Sequence, residues 1–292
     1  MLAQQLVNGL LLGATYALFA LGFTLTFGVL RVINLTYGFY FTAGAFVAWY
    51  LACAGAGLAL ALPASAVAAG GIAVVLDALL LTRLRRARAD ELASLMVTLG
   101  AVLALYAGMT ALLGADIRRL PPDVLGSAAI ALGPVRVTQA QLLILGAAAV
   151  LAGGLVWLVR FSRIGLGIRA VAEHPDAAGL MGIDAARIAV LVSFLSGALA
   201  GAGGVLIGLA FNAIHPYMGE QMMLRGFVVV ILGGLGDIFG ALLAGLLLGV
   251  VEVLTAAYLA SGLKEAVAFA LLVLVLWTRP AGLFGRPPAR RA

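Results

Sequence analysis

Long apolar segments separated by short polar ones repeat along the whole chain. The segments are unbroken rather than alternating, which favours membrane helices over the strands of a transmembrane barrel. Their lengths lie mostly near 20 residues, about what a helix needs to cross a hydrocarbon core of about 30 Å. They fall at roughly 6–30, 38–55, 58–82, 92–114, 138–159, 188–211, 222–236, 239–260 and 264–278. Because the run at 222–236 is short, the pattern predicts an all-α, polytopic transmembrane helical bundle with eight or nine spans.

Composition supports the same fold class. Hydrophobic residues make up 64% of the chain and charged residues 10%, whereas soluble domains carry about 25% charged residues. The 38 glycines suit close packing of helices through small residues. The first apolar segment, Leu6–Leu30, has no basic residues before it and is too long for a signal peptide, so it is expected to span the bilayer. The net charge of +6 comes from arginines clustered in loops and does not indicate nucleic-acid binding.

The arginines also predict the orientation in the membrane. Twelve fall on one side, namely Arg83, Arg85, Arg86, Arg88, Arg160, Arg163, Arg169, Arg187, Arg279, Arg286, Arg290 and Arg291. Five basic residues fall on the other side, namely Arg118, Arg119, Arg136, Arg225 and Lys264. The first side is therefore expected to be cytoplasmic, with the 160–187 loop and the C-terminus inside. The 115–137 loop is expected outside, and an odd number of spans places the N-terminus outside as well.

The polar stretch 160–187 carries the signals of a short helix between two membrane spans. Pro175 suits the first helical position, and Asp176 favours the positive helix end. Gly182 falls where a left-handed cap would end the helix, and Asp184 can cap the next span. A helix of about seven residues is unstable alone in water, so this stretch is expected to dock into a partner protein. A solvated loop is the alternative.

Two polar, glycine-containing interruptions lie at membrane depth, at 31–38 and 232–240. Irregular backbone in a membrane is tolerated where it lines a cavity or is buried in protein. We therefore expect Gly-broken helices whose residues share a translocation pathway with the deep acidic residue Glu252, although tight turns and helix–helix pairing are alternatives. The candidate pathway residues are Asn34, Thr36, Tyr37, Gly38, Gly233, Gly234, Gly236, Asp237 and Glu252. Asp77 is a further acidic residue at membrane depth, expected to reach towards Arg83.

Catalytic chemistry is not expected in this chain. Its only lysine, Lys264, is followed by Glu265, so no P-loop Gly-Lys-Ser/Thr exists. The two histidines, His174 and His215, are predicted on opposite sides of the membrane, so they cannot form a metal site or catalytic pair. We predict no catalytic residue, no metal site and no cofactor bound by this chain.

Four separated motifs resemble the permeases of ATP-binding cassette (ABC) importers of the branched-chain amino-acid type. Ala172–Ala178 followed by Gly182-Ile183 resembles the cytoplasmic "EAA" coupling loop of those permeases. The N-terminal run from Asn8 to Asn34 resembles their amino terminus, although Asn34-Leu35-Thr36-Tyr37-Gly38 replaces the common Asn-Phe-Ala-His-Gly. The glycine-rich block 232–252 and the ending 279–285 also match, so the resemblance covers nearly the whole chain.

The resemblance implies one permease domain over residues 1–292, with 160–187 as the coupling loop. The coupling residues would be Glu173, Pro175, Ala177, Ala178, Gly182 and Ile183. It implies a bacterial inner-membrane importer with a second homologous permease, two ATPase subunits that bind ATP and Mg²⁺, and an extracytoplasmic binding protein. Substrates would be branched-chain or related amino acids, amides or urea. The alternative function is a secondary transporter driven by an ion gradient.

Overall fold

The structure, a computed structural model, describes residues 2–30, 32–86, 90–121, 129–132 and 135–285. Its helices, labelled in chain order, are α1 (Leu2–Leu30), α2 (Tyr37–Cys53), α3 (Leu58–Leu76), α4 (Thr82–Arg86), α5 (Glu91–Leu113), α6 (Gln139–Phe161), α7 (Arg163–Glu173), α8 (Pro175–Leu180), α9 (Ala185–Phe211), α10 (Met218–Gly233), α11 (Ile238–Tyr258) and α12 (Lys264–Thr278). A π-helical segment, Asp77–Leu81, joins α3 to α4, and a 3-10 turn, Ser261–Leu263, precedes α12. Strands β1 (Ala129–Leu132) and β2 (Val135–Thr138) form an antiparallel hairpin before α6.

The helical bundle is confirmed, but the predicted count of eight or nine spans is not. Seven helical stretches among the described residues are long and apolar enough to cross a membrane. Helices α2 and α10, with 17 and 16 residues, are shorter than the length of about 20 residues that a full crossing needs. Both helices correspond to predicted apolar segments. The predicted and observed numbers of spans therefore differ because these two helices are short, and not because a predicted segment is missing.

Helices α1 and α11 run antiparallel in close contact through small residues. A Cβ atom added at Gly9 would lie 2.8 Å from the Cα of Val250, and one at Gly13 would lie 2.8 Å from the Cα of Leu246. Near the other end of α1, Gly28 approaches Gly236, with a Cβ position 3.3 Å from its Cα. The glycines therefore let the two backbones approach closely along most of their length, as is common between membrane helices.

Hydrogen bonds between distant parts of the chain bring several polar residues together at one end of the bundle. Gln4, near the start of α1, donates to the carbonyl of Arg136 at 3.0 Å. Trp49, near the end of α2, donates to the carbonyl of Arg119 at 3.1 Å. Arg118 and Ile214 exchange backbone hydrogen bonds. The start of α1 therefore lies beside basic residues that the charge pattern predicts outside.

The opposite end gathers residues that the charge pattern predicts inside. Arg160, at the end of α6, lies 4.6 Å from the ring centroid of Phe239 at the start of α11. Leu283, beyond α12, donates its backbone N–H to the carbonyl of Leu232 at 2.8 Å.

Arg225 differs from the prediction, since it lies within α10 and not in an outer loop. Five arginines of the sequence analysis lie outside the described part of the chain. They are Arg31 of the first interruption and Arg88, Arg286, Arg290 and Arg291 of the charge pattern.

The core of the bundle is aromatic where α2 begins. Phe19 packs edge-on against Tyr37 and Phe41, with ring centroids 4.7 and 5.5 Å apart. The Tyr37 hydroxyl donates to the carbonyl of Phe19 at 3.0 Å. Because Phe19 lies in the middle of α1, α2 starts inside the bundle and not at its end, and residues 32–36 interrupt the helices within the bundle.

Candidate functional site

The interruption before α2 contains a buried cluster of polar side chains. The side-chain amide oxygen (Oδ1) of Asn34 accepts from the Thr36 backbone N–H at 3.0 Å and from the Thr36 hydroxyl. The Thr36 and Tyr40 hydroxyls are 2.7 Å apart. Asn34, Thr36 and Tyr40 are buried, so these polar groups satisfy one another as buried groups usually do. Gly38 is also buried, with the carbonyl of Gly219 only 2.7 Å from its Cβ position.

The interruption before α11 is a tight turn. Gly234 and Gly236 have φ angles of 107° and 87°, which favour glycine. Asp237 caps α11 by accepting from the Gly240 N–H at 2.7 Å. A Cβ at Gly234 would lie 2.6 Å from the backbone nitrogen of Gly285, so the residues after α12 pack against this turn. Gly233 is buried against Gly240 in the same way. This geometry matches the tight-turn alternative.

A charged cluster lies where α1, α10 and α11 meet. The Tyr16 hydroxyl donates to Oε2 of Glu252 at 2.7 Å. The Nε atom of Arg225 lies 3.6 Å from Oε1 of Glu252, and its terminal nitrogen lies 4.0 Å from Glu265. Glu252 is 2% exposed, whereas Arg225 is 32% exposed. Oε1 of Glu252 accepts no hydrogen bond within the described part of the chain.

The cluster lines a cleft with two adjoining chambers of about 470 and 260 Å³. Both chambers are lined by Leu12, Phe211, Glu252 and Lys264. The smaller chamber adds Tyr16, Arg225 and His215 together with apolar residues that include Ile207, Met218 and Met222. Its size approaches the range of about 300–1,000 Å³ that is usual for ligand sites. Burial lowers the pKa of His215, which lies between α9 and α10, and so favours the neutral form of its ring.

The structure does not bring the predicted pathway residues into one site, which corrects that expectation. Asp237 and Glu252 are 15 residues apart on α11, a rise of about 22 Å. Glu252 lines the cleft, Asp237 caps a turn towards the other end, and Asn34 and Thr36 form a separate buried cluster. Sequence reasoning missed Arg225 and Tyr16 as neighbours of Glu252. A signal existed for Arg225, because a charge inside an apolar segment usually has a functional or pairing role.

The short helix predicted in the 160–187 stretch is present as α8. Pro175 is its first residue, and Gly182 follows it with a φ angle of 83°. The Ile183 N–H donates back to the Ala178 carbonyl at 3.0 Å, which closes the C-terminal turn. Asp184 then caps α9 by accepting from the backbone N–H groups of Ala186 and Arg187 at 3.0 and 3.3 Å.

The exposed surface of α8 differs from the expected one. Ala178 is only 4% exposed and packs within this chain, so it cannot contact a partner. Glu173, Pro175 and Ala177 are exposed, and Ile183 is half-buried. The large apolar side chains at the end of the helix are Leu180 and Met181, which are 90% and 84% exposed. The coupling residues predicted from the sequence do not include these two.

Comparison with known proteins identifies the family. A sequence profile described as "Branched-chain amino acid transport system / permease component" matches residues 5–276. The high-affinity branched-chain amino acid transport system permease protein LivH of Salmonella typhimurium is 33% identical over 300 residues, covering 99% of this chain and 97% of LivH. BraD of Pseudomonas aeruginosa, which has the same description, is 31% identical over 99% of this chain and 97% of BraD.

A relative named for a different substrate matches a smaller part of this chain. The nucleoside ABC transporter permease protein NupB of Lactococcus lactis is 37% identical over 89 residues, which is 29% of this chain and 24% of NupB. No solved structure matches this chain. Because the family profile covers most of the sequence and the full-length relatives exceed 30% identity, the chain belongs to the branched-chain amino acid ABC transporter permease family.

Proposed function

We propose that this chain is a membrane-spanning subunit of an ATP-driven importer for branched-chain or related amino acids. It works in the bacterial inner membrane with a second homologous permease, two ATPase subunits that bind ATP and Mg²⁺, and an extracytoplasmic binding protein. The observation that carries the proposal is the pair of exposed apolar side chains, Leu180 and Met181, at the C-terminal end of a short helix in a polar loop.

Helix α8 has the properties of a docking element. With six residues it is too short to persist by its own hydrogen bonds. Its shape is held instead by Pro175, by the turn at Gly182 and by burial of Ala178. A rigid helix that presents large apolar side chains suits a groove on another protein. Burying one leucine contributes about 1.5–3 kcal/mol, so Leu180 and Met181 can anchor an ATPase subunit.

The relatives favour branched-chain amino acids as the cargo. The matches to LivH and BraD cover 97% of those proteins, whereas the match to the nucleoside permease covers 24% of it. A transported amide or urea remains within the proposal, because delivery by the binding protein would decide much of the specificity. A translocation role for Asn34, Thr36 and Tyr37 is part of the same proposal.

The coupling role is tested by placing a charge on the exposed face of α8. Leu180→Asp should leave membrane abundance unchanged and weaken co-purification with the ATPase subunits by about tenfold or more, because a charge enters an apolar contact. Substrate-stimulated ATP hydrolysis should fall in parallel. Ala178→Arg is unsuitable because Ala178 is buried and the change would disturb this chain.

The matched control is Leu259→Asp, which makes the same change at a leucine that is 68% exposed and directly follows the C-terminal end of α11. It should retain ATPase association. If Leu180→Asp co-purifies with the ATPase subunits as well as Leu259→Asp does, α8 is not the coupling element.

A further inference from the structure

We propose that Arg225 and Glu252 form a subsite that holds the carboxylate and ammonium groups of a zwitterionic α-amino acid during its passage. Tyr16 acts as a positioning residue for Glu252. The inference rests on the proposed function and adds to it the cargo groups that this chain itself recognises.

The charged groups are close to each other but incompletely bonded. Arg225 approaches Glu252 and Glu265 at 3.6 and 4.0 Å, both longer than a hydrogen bond. Tyr16 fixes one oxygen of Glu252, and the other oxygen, Oε1, is buried without a donor. A guanidinium carries five N–H donors in a planar fork, so Arg225 has donors to offer a further carboxylate.

A purely structural ion pair would have a different geometry. Burying a charge such as that of Glu252 is costly unless hydrogen bonds satisfy its remaining acceptors. The separation of 3.6 Å and the oxygen of Glu252 that accepts no hydrogen bond leave that cost only partly offset. Both residues also line the smaller chamber of the cleft, and the Arg225 side chain is 32% exposed.

A zwitterion complements this arrangement. Its ammonium would lie against Glu252 and its carboxylate against Arg225, so each charge would be next to opposite charges. A simple amine would leave its single positive charge beside Arg225, and a keto acid would place its negative charge beside Glu252; both are disfavoured. The walls contributed by Ile207, Met218 and Met222 suit an aliphatic side chain, and methionine adapts to different shapes.

The test measures equilibrium binding of radiolabelled L-leucine to the purified importer without its binding protein. Wild type should bind at millimolar leucine. Isoamylamine, which lacks the carboxylate, and 4-methyl-2-oxopentanoate, which lacks the ammonium, should each compete at least about tenfold more weakly than leucine, since each forfeits a charge-assisted contact.

The variants separate recognition from packing. Arg225→Gln and Glu252→Gln should each weaken leucine binding by about tenfold or more. Arg225→Gln should also lose the discrimination against isoamylamine, and Glu252→Gln should lose the discrimination against the keto acid. A structural pair would not produce these opposite changes. Tyr16→Phe should weaken leucine binding without altering either preference, and Arg118→Gln, a basic residue outside the cleft, should bind as wild type does.

The double variant Arg225→Gln, Glu252→Gln covers the case in which a single change unfolds the protein, because it leaves no unpaired buried charge. Leucine binding equal to wild type in either single variant or in the double variant overturns the subsite. Wild type that fails to bind leucine at millimolar concentration overturns it as well. ATP-driven uptake by the same preparation with its binding protein tests the proposed function separately, so the subsite can fail while the importer stands.

Discussion

The carboxylate of Asp77 is buried in the bundle, 2% exposed, and lies 2.5 Å from a terminal nitrogen of Arg85. The sequence led us to expect that Asp77 reaches towards Arg83, and this expectation was wrong. The π-helical segment Asp77–Leu81 begins at this aspartate, and the Thr82 hydroxyl donates to the same carboxylate at 3.3 Å. Asp77 is therefore held by residues one and two turns further along its own helix.

Removing one partner of this pair should destabilise the protein. Asp77→Asn leaves the guanidinium of Arg85 without a counter-ion, and such changes cost about 3 kcal/mol in buried pairs. We expect a clearly lower temperature of unfolding of the purified protein. Adding Arg85→Gln should recover most of the loss, because no unpaired charge then remains.

Asp184→Asn is the matched control. Asp184 pairs with Arg187 at the surface, with exposures of 50% and 88%, and such pairs contribute about 0–1 kcal/mol. Asparagine caps a helix as well as aspartate does. Equal losses in Asp77→Asn and Asp184→Asn would show that the buried pair does not stabilise the bundle.

The contact between α1 and α11 depends on glycines from both helices. Gly13 faces Leu246, while Gly245 on α11 faces Ala17, with a Cβ position 2.6 Å from its Cα. The abundance of glycine in the sequence predicted close helix packing, and this pair of helices confirms it. Which helices pair could not be predicted, since the partners lie at opposite ends of the chain.

Gly13→Ala should weaken this contact. The added Cβ would lie 2.8 Å from both the Cα and the carbonyl oxygen of Leu246, so the helices must separate, at a cost of about 1–3 kcal/mol. Gly146→Ala in α6 is the control, because its Cβ would meet nothing within 4 Å. Alanine favours a helix over glycine by about 1 kcal/mol. In detergent, Gly13→Ala should therefore unfold at a lower temperature than wild type, and Gly146→Ala at the same temperature or a higher one. The reverse order would contradict the close contact.

Local sequence signals predicted α8 and its caps because those interactions join neighbouring residues. Pro175, Gly182 and Asp184 each lie where the sequence placed them. The amphipathic helix α7 was missed because the whole 160–187 stretch reads as a polar loop. The burial of Ala178 and the meeting of Tyr16, Arg225 and Glu252 depend on tertiary packing, which no local pattern encodes.

The bundle has a buried centre and an exposed periphery. Helices α1 and α9 are mostly buried, whereas α5 and α12 expose most of their apolar surface. Exposed apolar helices suit contact with lipid or with another membrane subunit. The alternating directions of the helices place the start of α1 and the end of α12 at opposite ends, in agreement with the orientation predicted from the arginines.

Cysteine labelling can test that orientation. In a Cys53→Ser background, Asp116→Cys should react with an impermeant maleimide in intact cells, because it is exposed beyond the end of α5. Asp90→Cys, exposed before α5 begins, should react only after the membrane is permeabilised. Labelling of Asp90→Cys but not Asp116→Cys in intact cells would invert the orientation.

The source of energy for transport is the most direct test of the proposed function. The protein should be reconstituted into proteoliposomes with and without its ATPase subunits, together with the second permease and the binding protein. Because the only lysine, Lys264, is followed by Glu265 and no P-loop exists, we expect L-leucine to accumulate against its gradient only when the ATPase subunits and ATP are present. Accumulation by this chain without ATPase subunits, driven by a proton or sodium gradient, would contradict the proposed function and favour a secondary transporter.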